Sequence, residues 1–220
     1  MSALHGELVE LAAPVAGRDA PLVADWLSSS HALRSSGGPQ FLTPAEADEL
    51  VSSAAGWLLV HASETGLPIG ALTWTANGPT GSYAIQYVVG VPEAWRDGPG
   101  REAVELLLDH LFLSLAAHRV QLVTGLFDEL AVDAVVTCGF VVEGVLRDYY
   151  YLDGGYEDAV ICSLLRAEHG QGSGTDRPRT ESVPAEDKAR ARRLLTEYLT
   201  RHPLDPLVRI APDERSSSAP

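Results

Sequence analysis

Residues 83–118 constrain the fold more than any other stretch of the chain. Tyr83 to Val91 is dense in β-branched and aromatic side chains, the composition of a strand. Pro92 ends it, because a proline nitrogen has no hydrogen to give to a ladder. Trp95-Arg96-Asp97-Gly98-Pro99-Gly100 comes next. From Gly100 onward Val104, Leu107, Leu108, Leu111 and Leu115 recur at helical steps, marking one buried face. Strand, glycine loop and helix in that order form a natural anion cradle. Backbone N–H groups at the helix start point outward with the positive end of the dipole, and glycines let a ligand come close. A plain strand–turn–helix connection fits the same pattern.

The rest of the chain brackets this unit with strands and helices. Glu7 to Ala12 reads as a strand and Asp19 to Ser29 as a short helix with Leu22, Val23, Trp26 and Leu27 on one face. Residues 35–39 form a Ser-Gly-Pro loop. Thr43-Pro44-Ala45-Glu46 is a capping box with proline at the first helical position, so a helix starts there and runs to about Ala54. Gly56 to Ser63 and Leu67 to Thr75 make an antiparallel pair around Glu64-Thr65-Gly66. Beyond the central helix, Val120 to Phe127 is a strand, and Glu129 to Cys138 is a helix that Gly139 caps. Phe140 to Arg147 and Glu157 to Arg166 are the last strands, joined by a tyrosine-rich connection with an Asp-Gly turn.

Residues 168–184 are polar and rich in Gly and Pro, so they read as a linker. Residues 185–210 hold a helix and an extended arm, and 211–220 a disordered tail. The main domain is therefore 1–167.

Composition excludes several classes. The net charge of −14 argues against a duplex nucleic-acid binder, which needs a basic footprint. Cys138 and Cys162 have no metal-ligand or redox spacing and sit in apolar contexts, as small buried residues do. With no cationic start followed by an apolar segment, and no long apolar run, neither a signal peptide nor a membrane span is expected, which points to the cytoplasm.

Two blocks carry a family resemblance. Trp95-Arg96-Asp97-Gly98-Pro99-Gly100 resembles the cofactor loop of the GCN5-related N-acetyltransferases (GNAT), Arg/Gln-x-x-Gly-x-Gly/Ala, with Trp95 in the Arg/Gln position. Glu102-Ala103 then matches the "E-A" frequent in the branch that acetylates ribosomal-protein N-termini. Gly139-Phe140-x-x-Glu143-Gly144-x-Leu146-Arg147, with Gly155-x-x-Asp158 and Ser163-Leu164-Leu165, is similar to that branch's second signature. The resemblance spans about residues 5 to 167. It implies an α/β (α+β) GNAT fold: a mixed, mostly antiparallel sheet of about seven strands with helices on both faces, followed here by a C-terminal helical extension.

The resemblance also implies the chemistry. Acetyl-CoA would be the co-substrate, with no metal. Its pyrophosphate would lie on Arg96, Asp97, Gly98, Pro99, Gly100 and Arg101. The pantetheine arm would pair with the strand before the loop, where backbone N–H groups of Val89, Gly90 and Val91 polarise the thioester carbonyl. Asp128 stands where the family often has a cofactor-binding Asn, and Val135 where many members have a tyrosine acid. Tyr150 aligns with a Glu base of the branch. It is therefore the candidate acid or water-positioner, with Asp148 the nearest carboxylate to take the amine proton. Glu143 is in frame with the signature and equally placed to pair with Arg147. Tyr87, Tyr149 and Tyr151 are candidate walls of the acceptor site.

The implied partner is an amine acceptor, either a small molecule or a peptide N-terminus, and the protein would be a monomer or homodimer. The competing reading is a CoA-binding module with degraded chemistry that docks a partner.

Overall fold

The computed structural model describes residues 3–29, 41–53, 56–169 and 184–202. The chain divides into two compact units, Met1–Gly172 and Ser173–Pro220. The expected loop at 35–39, most of the linker, the arm from 203 and the tail lie outside the described residues.

In the first unit β1 (Leu4–His5) and β2 (Val9–Ala12) form a hairpin, followed by α1 (Ala20–Ser28) and α2 (Pro44–Val51). The meander is β3 (Gly56–Ala62), β4 (Pro68–Ala76) and β5 (Ser82–Val89). A single helical turn, α3 (Pro92–Trp95), precedes α4 (Pro99–Asp109), which runs on into a π-helical turn at His110–Ser114. Then come β6 (Arg119–Gly125), α5 (Glu129–Thr137), β7 (Val141–Leu152) and β8 (Gly155–Leu165).

The strands make one sheet in the order β1-β2-β3-β4-β5-β6-β8-β7, parallel at β5/β6 and antiparallel elsewhere. This is the mixed, mostly antiparallel sheet that the resemblance implies. The sheet has eight strands where about seven were expected, the addition being the two-residue β1. The second unit is described through α6 (Ala185–Arg201), with acidic Glu186 and Asp187 in its first turn.

Local chemistry explains the boundaries. At α2, Thr43 Oγ1 accepts the Glu46 N–H at 3.3 Å and Glu46 returns a carboxylate oxygen to the Thr43 N–H at 2.8 Å, completing the capping box. Gly139 closes α5 at φ 78°, a conformation that suits glycine. β7 runs through the tyrosines that were expected to form a connection, and Asp153 and Gly154, both at positive φ, make a two-residue hairpin turn. Tyrosine favours strands, and two positive-φ residues match the twist of a hairpin, so the strand has no reason to stop at Arg147.

Strand alternation splits the core in two. Tyr87 and Val89 join the cluster beneath α4 and α5 with Leu107, Leu111 and Leu122. Val88 points the other way, against α1 and α2 with Val23, Trp26 and Ala47. Both faces of β5 are covered, and this strand carries the site.

Candidate active site: a wedge beside an uncapped helix

β5 and β6 pair only at Ser82, Tyr83 and Ala84 against Arg119, Val120 and Gln121. Beyond this they part: β5 continues along β4 to Val89, and β6 along β8 to Gly125. The parting leaves a wedge whose narrow cavity is lined by Ile85, Gln86 and Tyr87 on one side and by Leu122, Leu130 and Ala131 on the other.

A bulge fixes the far end of β5. The Ile69 carbonyl accepts the N–H groups of Gly90 at 3.0 Å and Val91 at 2.8 Å, and the Trp95 indole N–H at 2.7 Å. This changes the expected role of three residues. The N–H groups of Gly90 and Val91 are engaged by Ile69, so they do not face the wedge. Alternation from Gly90 aims the N–H groups of Val89 and Tyr87 at it instead. Trp95 stands where the family motif has Arg or Gln, but it is 3% exposed. It braces the loop from inside, its one polar atom tied to Ile69. The bulge was foreshadowed by Gly90: a β-carbon there would come within 2.3 Å of the Trp26 ring.

The loop itself opens α4. Asp97 (φ 60°) and Gly98 (φ 125°) both take positive φ, and Gly98 is an N-cap with no side-chain cap bond. Pro99 at the next position has no N–H. Those of Gly100 and Arg101 are in the first turn, where no intrahelical acceptor is available, and they point along the axis. Beside this helix start lies an outer cavity lined by Arg96, Asp97, Gly98, Arg101, Glu129 and Asp133. Across its mouth Arg96 pairs with Glu129 at 3.1 Å. Gly100 is buried, and its missing β-carbon is directed at Trp95, 2.8 Å from the ring. The packing of Trp95 thus gives a reason of its own for a glycine here.

Glu102 was noted only as part of a motif. Its carboxylate accepts the N–H groups of Glu7 (2.8 Å), Leu8 (2.7 Å) and Val9 (2.8 Å), tying the turn between β1 and β2 to the first turn of α4. Nothing local announces a bond to residues so far away in sequence.

Tyr87 and Asp128 meet in the interior. Asp128 is 0% exposed and caps α5 by accepting the N–H groups of Leu130 at 3.2 Å and Ala131 at 3.4 Å. Tyr87, 6% exposed, donates its hydroxyl to the other carboxylate oxygen. Burial, then the Asp128 charge, raises the Tyr87 phenol well above its ordinary range. Tyr87, expected as an acceptor wall, instead forms a wall of the wedge, and Asp128, expected on the cofactor, is turned toward Tyr87.

Tyr150 approaches the same pair. It packs edge-on against Phe127 at 5.5 Å between centroids. Burial, with smaller contributions from Tyr149 and Asp128, pushes it up to about 12. Tyr149, whose ring meets that of Tyr150 edge-on at 4.9 Å between centroids, and Tyr151 are more than half exposed, as is Tyr156 across the hairpin.

Asp148 lies apart from this group. It is exposed at φ 52° in a strand irregularity, with its N–H given to Asp158 at 2.9 Å. Glu143 pairs with Arg119 and Ser163 rather than with Arg147. Among the described residues no cluster of His, Cys, Asp or Glu is arranged to hold a metal ion, and no helix is long and apolar enough to cross a membrane.

Known proteins share this fold. The structure superposes on the spermidine N-acetyltransferase of Vibrio cholerae, solved with CoA and spermine, with a TM-score of 0.66 at 22% identity over 74% of this chain and 99% of that one. It superposes on the ribosomal-protein-S5-alanine acetyltransferase of Vibrio fischeri with a TM-score of 0.61 at 21% identity over 76% and 97%. In sequence, the uncharacterized N-acetyltransferase YoaA of Bacillus subtilis is 30% identical over 34% of this chain and 43% of its own. The V. cholerae spermidine N(1)-acetyltransferase is 28% identical over 37% and 47%. The chain thus spans less than half the length of these curated relatives. The family model for the acetyltransferase (GNAT) domain matches residues 10–141, a span that contains the wedge, the glycine loop and both flanking helices. The chain belongs to the GNAT family of acetyltransferases.

Proposed function

We propose that the protein transfers an acetyl group from acetyl-CoA to a primary amine. The observation that carries this reading is the wedge between β5 and β6, which leads to a helix whose start is free of side-chain caps. An extended amide-bearing arm fits the unpaired edge of β5, and a pyrophosphate fits the first-turn N–H groups of Gly100 and Arg101 with Arg96 beside them. The Val89 N–H then faces the thioester carbonyl, and one such donor is commonly worth ~3 kcal/mol toward the developing oxyanion.

The acceptor is a cationic amine or a peptide N-terminus. The net charge of −14 supports this class, as do the exposed rings of Tyr149, Tyr151 and Tyr156 beside Asp148 and Asp158. Two of the relatives are named for spermidine and for a ribosomal-protein alanine. Tyr150 orients the incoming amine or a water. A phenol raised to about 12 would give its proton to a thiolate uphill, since thiols titrate near ~8.5.

Thiol release from acetyl-CoA, measured against polyamines, other small amines and peptides with free N-termini, tests the reading. Release with at least one of these is the expected result. Tight CoA binding without release from any of them would leave a CoA-binding module that acts through a protein partner.

A further inference from the structure

The transferase reading lacks a base. The attacking amine must lose a proton, yet Asp148 is exposed and held by its backbone in a strand irregularity. No carboxylate occupies the aligned position, which is Tyr150. A buried carboxylate, Asp128, lies behind Tyr87, which lines the wedge.

We propose that Tyr87 and Asp128 form the proton relay of this acetyltransferase: Tyr87 takes the amine proton at its oxygen as it passes its own to Asp128.

The geometry dictates the direction. One oxygen of Asp128 accepts two N–H groups at the start of α5 and the other accepts the Tyr87 hydroxyl. A carboxylate offers acceptors only, so the single phenolic hydrogen is committed to it. The Tyr87 oxygen, which the Thr124 side chain also approaches, has a second lone pair to offer beside the cavity that Tyr87 lines between β5 and β6. Tyr87 lies two residues before Val89, whose N–H faces the same wedge. A proton acceptor and an oxyanion donor thus share one strand edge.

The step balances. The amine nitrogen forms the C–N bond and the C–S bond breaks to release a thiolate. The N–H proton goes to the Tyr87 oxygen while the Tyr87 proton goes to Asp128. Run in reverse, the relay returns that proton from Asp128 through Tyr87 to the sulfur, giving the free thiol and restoring the carboxylate. No further donor or acceptor is needed, which accounts for a valine at position 135. Tyr150, from β7, also faces Asp128. Raised as it is, Tyr87 does not ionise by itself, so it moves a proton only when it receives one.

Asp128 acts through Tyr87, and the test must separate chemistry from structure. Asp128→Asn keeps an oxygen for the α5 cap, and Tyr87→Phe keeps the ring. Steady-state kinetics, pH–rate profiles and calorimetric acetyl-CoA affinity are measured for wild type, both single variants and the double variant.

The relay predicts kcat at least about 100-fold lower in each single variant, with acetyl-CoA affinity within a few-fold of wild type. It also predicts a double variant no slower than the worse single. A single variant near wild-type kcat, or multiplying effects in the double variant, would overturn it. This inference rests on the transferase reading, which wild-type thiol release tests separately. Release by wild type together with full-rate variants removes the relay alone, and no release from any amine removes both.

Discussion

At the scale of single residues, two positions have different roles from those their motifs suggest. Tyr150 aligns with a catalytic position, but its burial favours the protonated phenol too strongly for it to serve as an acid. It is left to hold a water or the amine through one hydrogen bond. Such a bond is worth about 1–1.5 kcal/mol, which is about tenfold in rate. Tyr150→Phe should therefore lower turnover about tenfold and leave the shape of the pH–rate profile unchanged. A displaced limb in that profile would return Tyr150 to proton transfer.

Gly100 is the second case. A methyl group at this position meets Trp95 on the ring and at its carbonyl, 3.0 Å away, inside a packed loop. Overpacking of this kind costs about 1–3 kcal/mol. Gly100→Ala should lower the denaturation midpoint accordingly. Trp95→Leu, which removes the ring edge, should make the glycine change cheaper in the double variant. Additive losses would show that Trp95 is not what demands the glycine.

At the scale of elements, carboxylates bind together segments that lie far apart in sequence. Glu102 holds the β1–β2 turn to α4 through three backbone N–H groups. In the same hairpin the Leu8 side chain packs where a Gly98 β-carbon would be, 2.8 Å away. The N-terminal hairpin is thereby part of the cofactor loop's support.

Glu143 does the same for the far half of the sheet. It joins Arg119 of β6 at 2.5 and 2.6 Å and accepts the Ser163 hydroxyl of β8 at 2.7 Å. The Arg119 guanidinium, chiefly through its hydrogen bonds, holds this carboxyl below the usual carboxylate range, against a smaller opposing effect of burial. A carboxyl with a depressed folded-state pKa stabilises fully above its unfolded value, near ~4.3, and the contribution disappears as pH falls through the folded value. The stability difference between wild type and Glu143→Gln should therefore be level at neutral pH and shrink below about pH 4.5. Urea midpoints measured from pH 7 down to pH 3 would show it, and a difference independent of pH would contradict the assignment.

At the scale of the whole molecule, local chemistry was legible in sequence and distant contacts were not. Helix α2 announced itself through Thr43 and Glu46, α5 through Gly139, and the final hairpin through Asp153-Gly154, because each signal acts within a few residues. The wedge was legible only through the family motif. Tyr87 and Asp128 lie 41 residues apart and Glu102 and Leu8 lie 94 apart, so no periodicity connects them. Trp95 misled for the same reason: it is a motif position by spacing and a core residue by packing.

The C-terminal boundary shows what this means in practice. Read from sequence, the domain closes at about residue 167, and a cut after Glu168 would be harmless. The structure adds His169, whose Nε2–H donates to the Asp109 carboxylate at 2.8 Å and whose ring stacks on Phe112 at 4.7 Å between centroids. Next to it Arg166 donates to the carbonyls of Ala117 and Phe112, securing the exit from the π-helical turn. A cut after Gly172 preserves all of these contacts and matches the end of the first compact unit. It removes α6, whose Leu194, Leu195 and Tyr198 are each more than half exposed. A chain ending at Gly172 should therefore unfold cooperatively, with a midpoint close to that of the full chain and acetyl-CoA affinity intact. One ending at Glu168 should melt lower, because Phe112 loses its stacking partner. A Gly172 truncation that unfolds without cooperativity would show instead that residues 173–220 are integral to the fold.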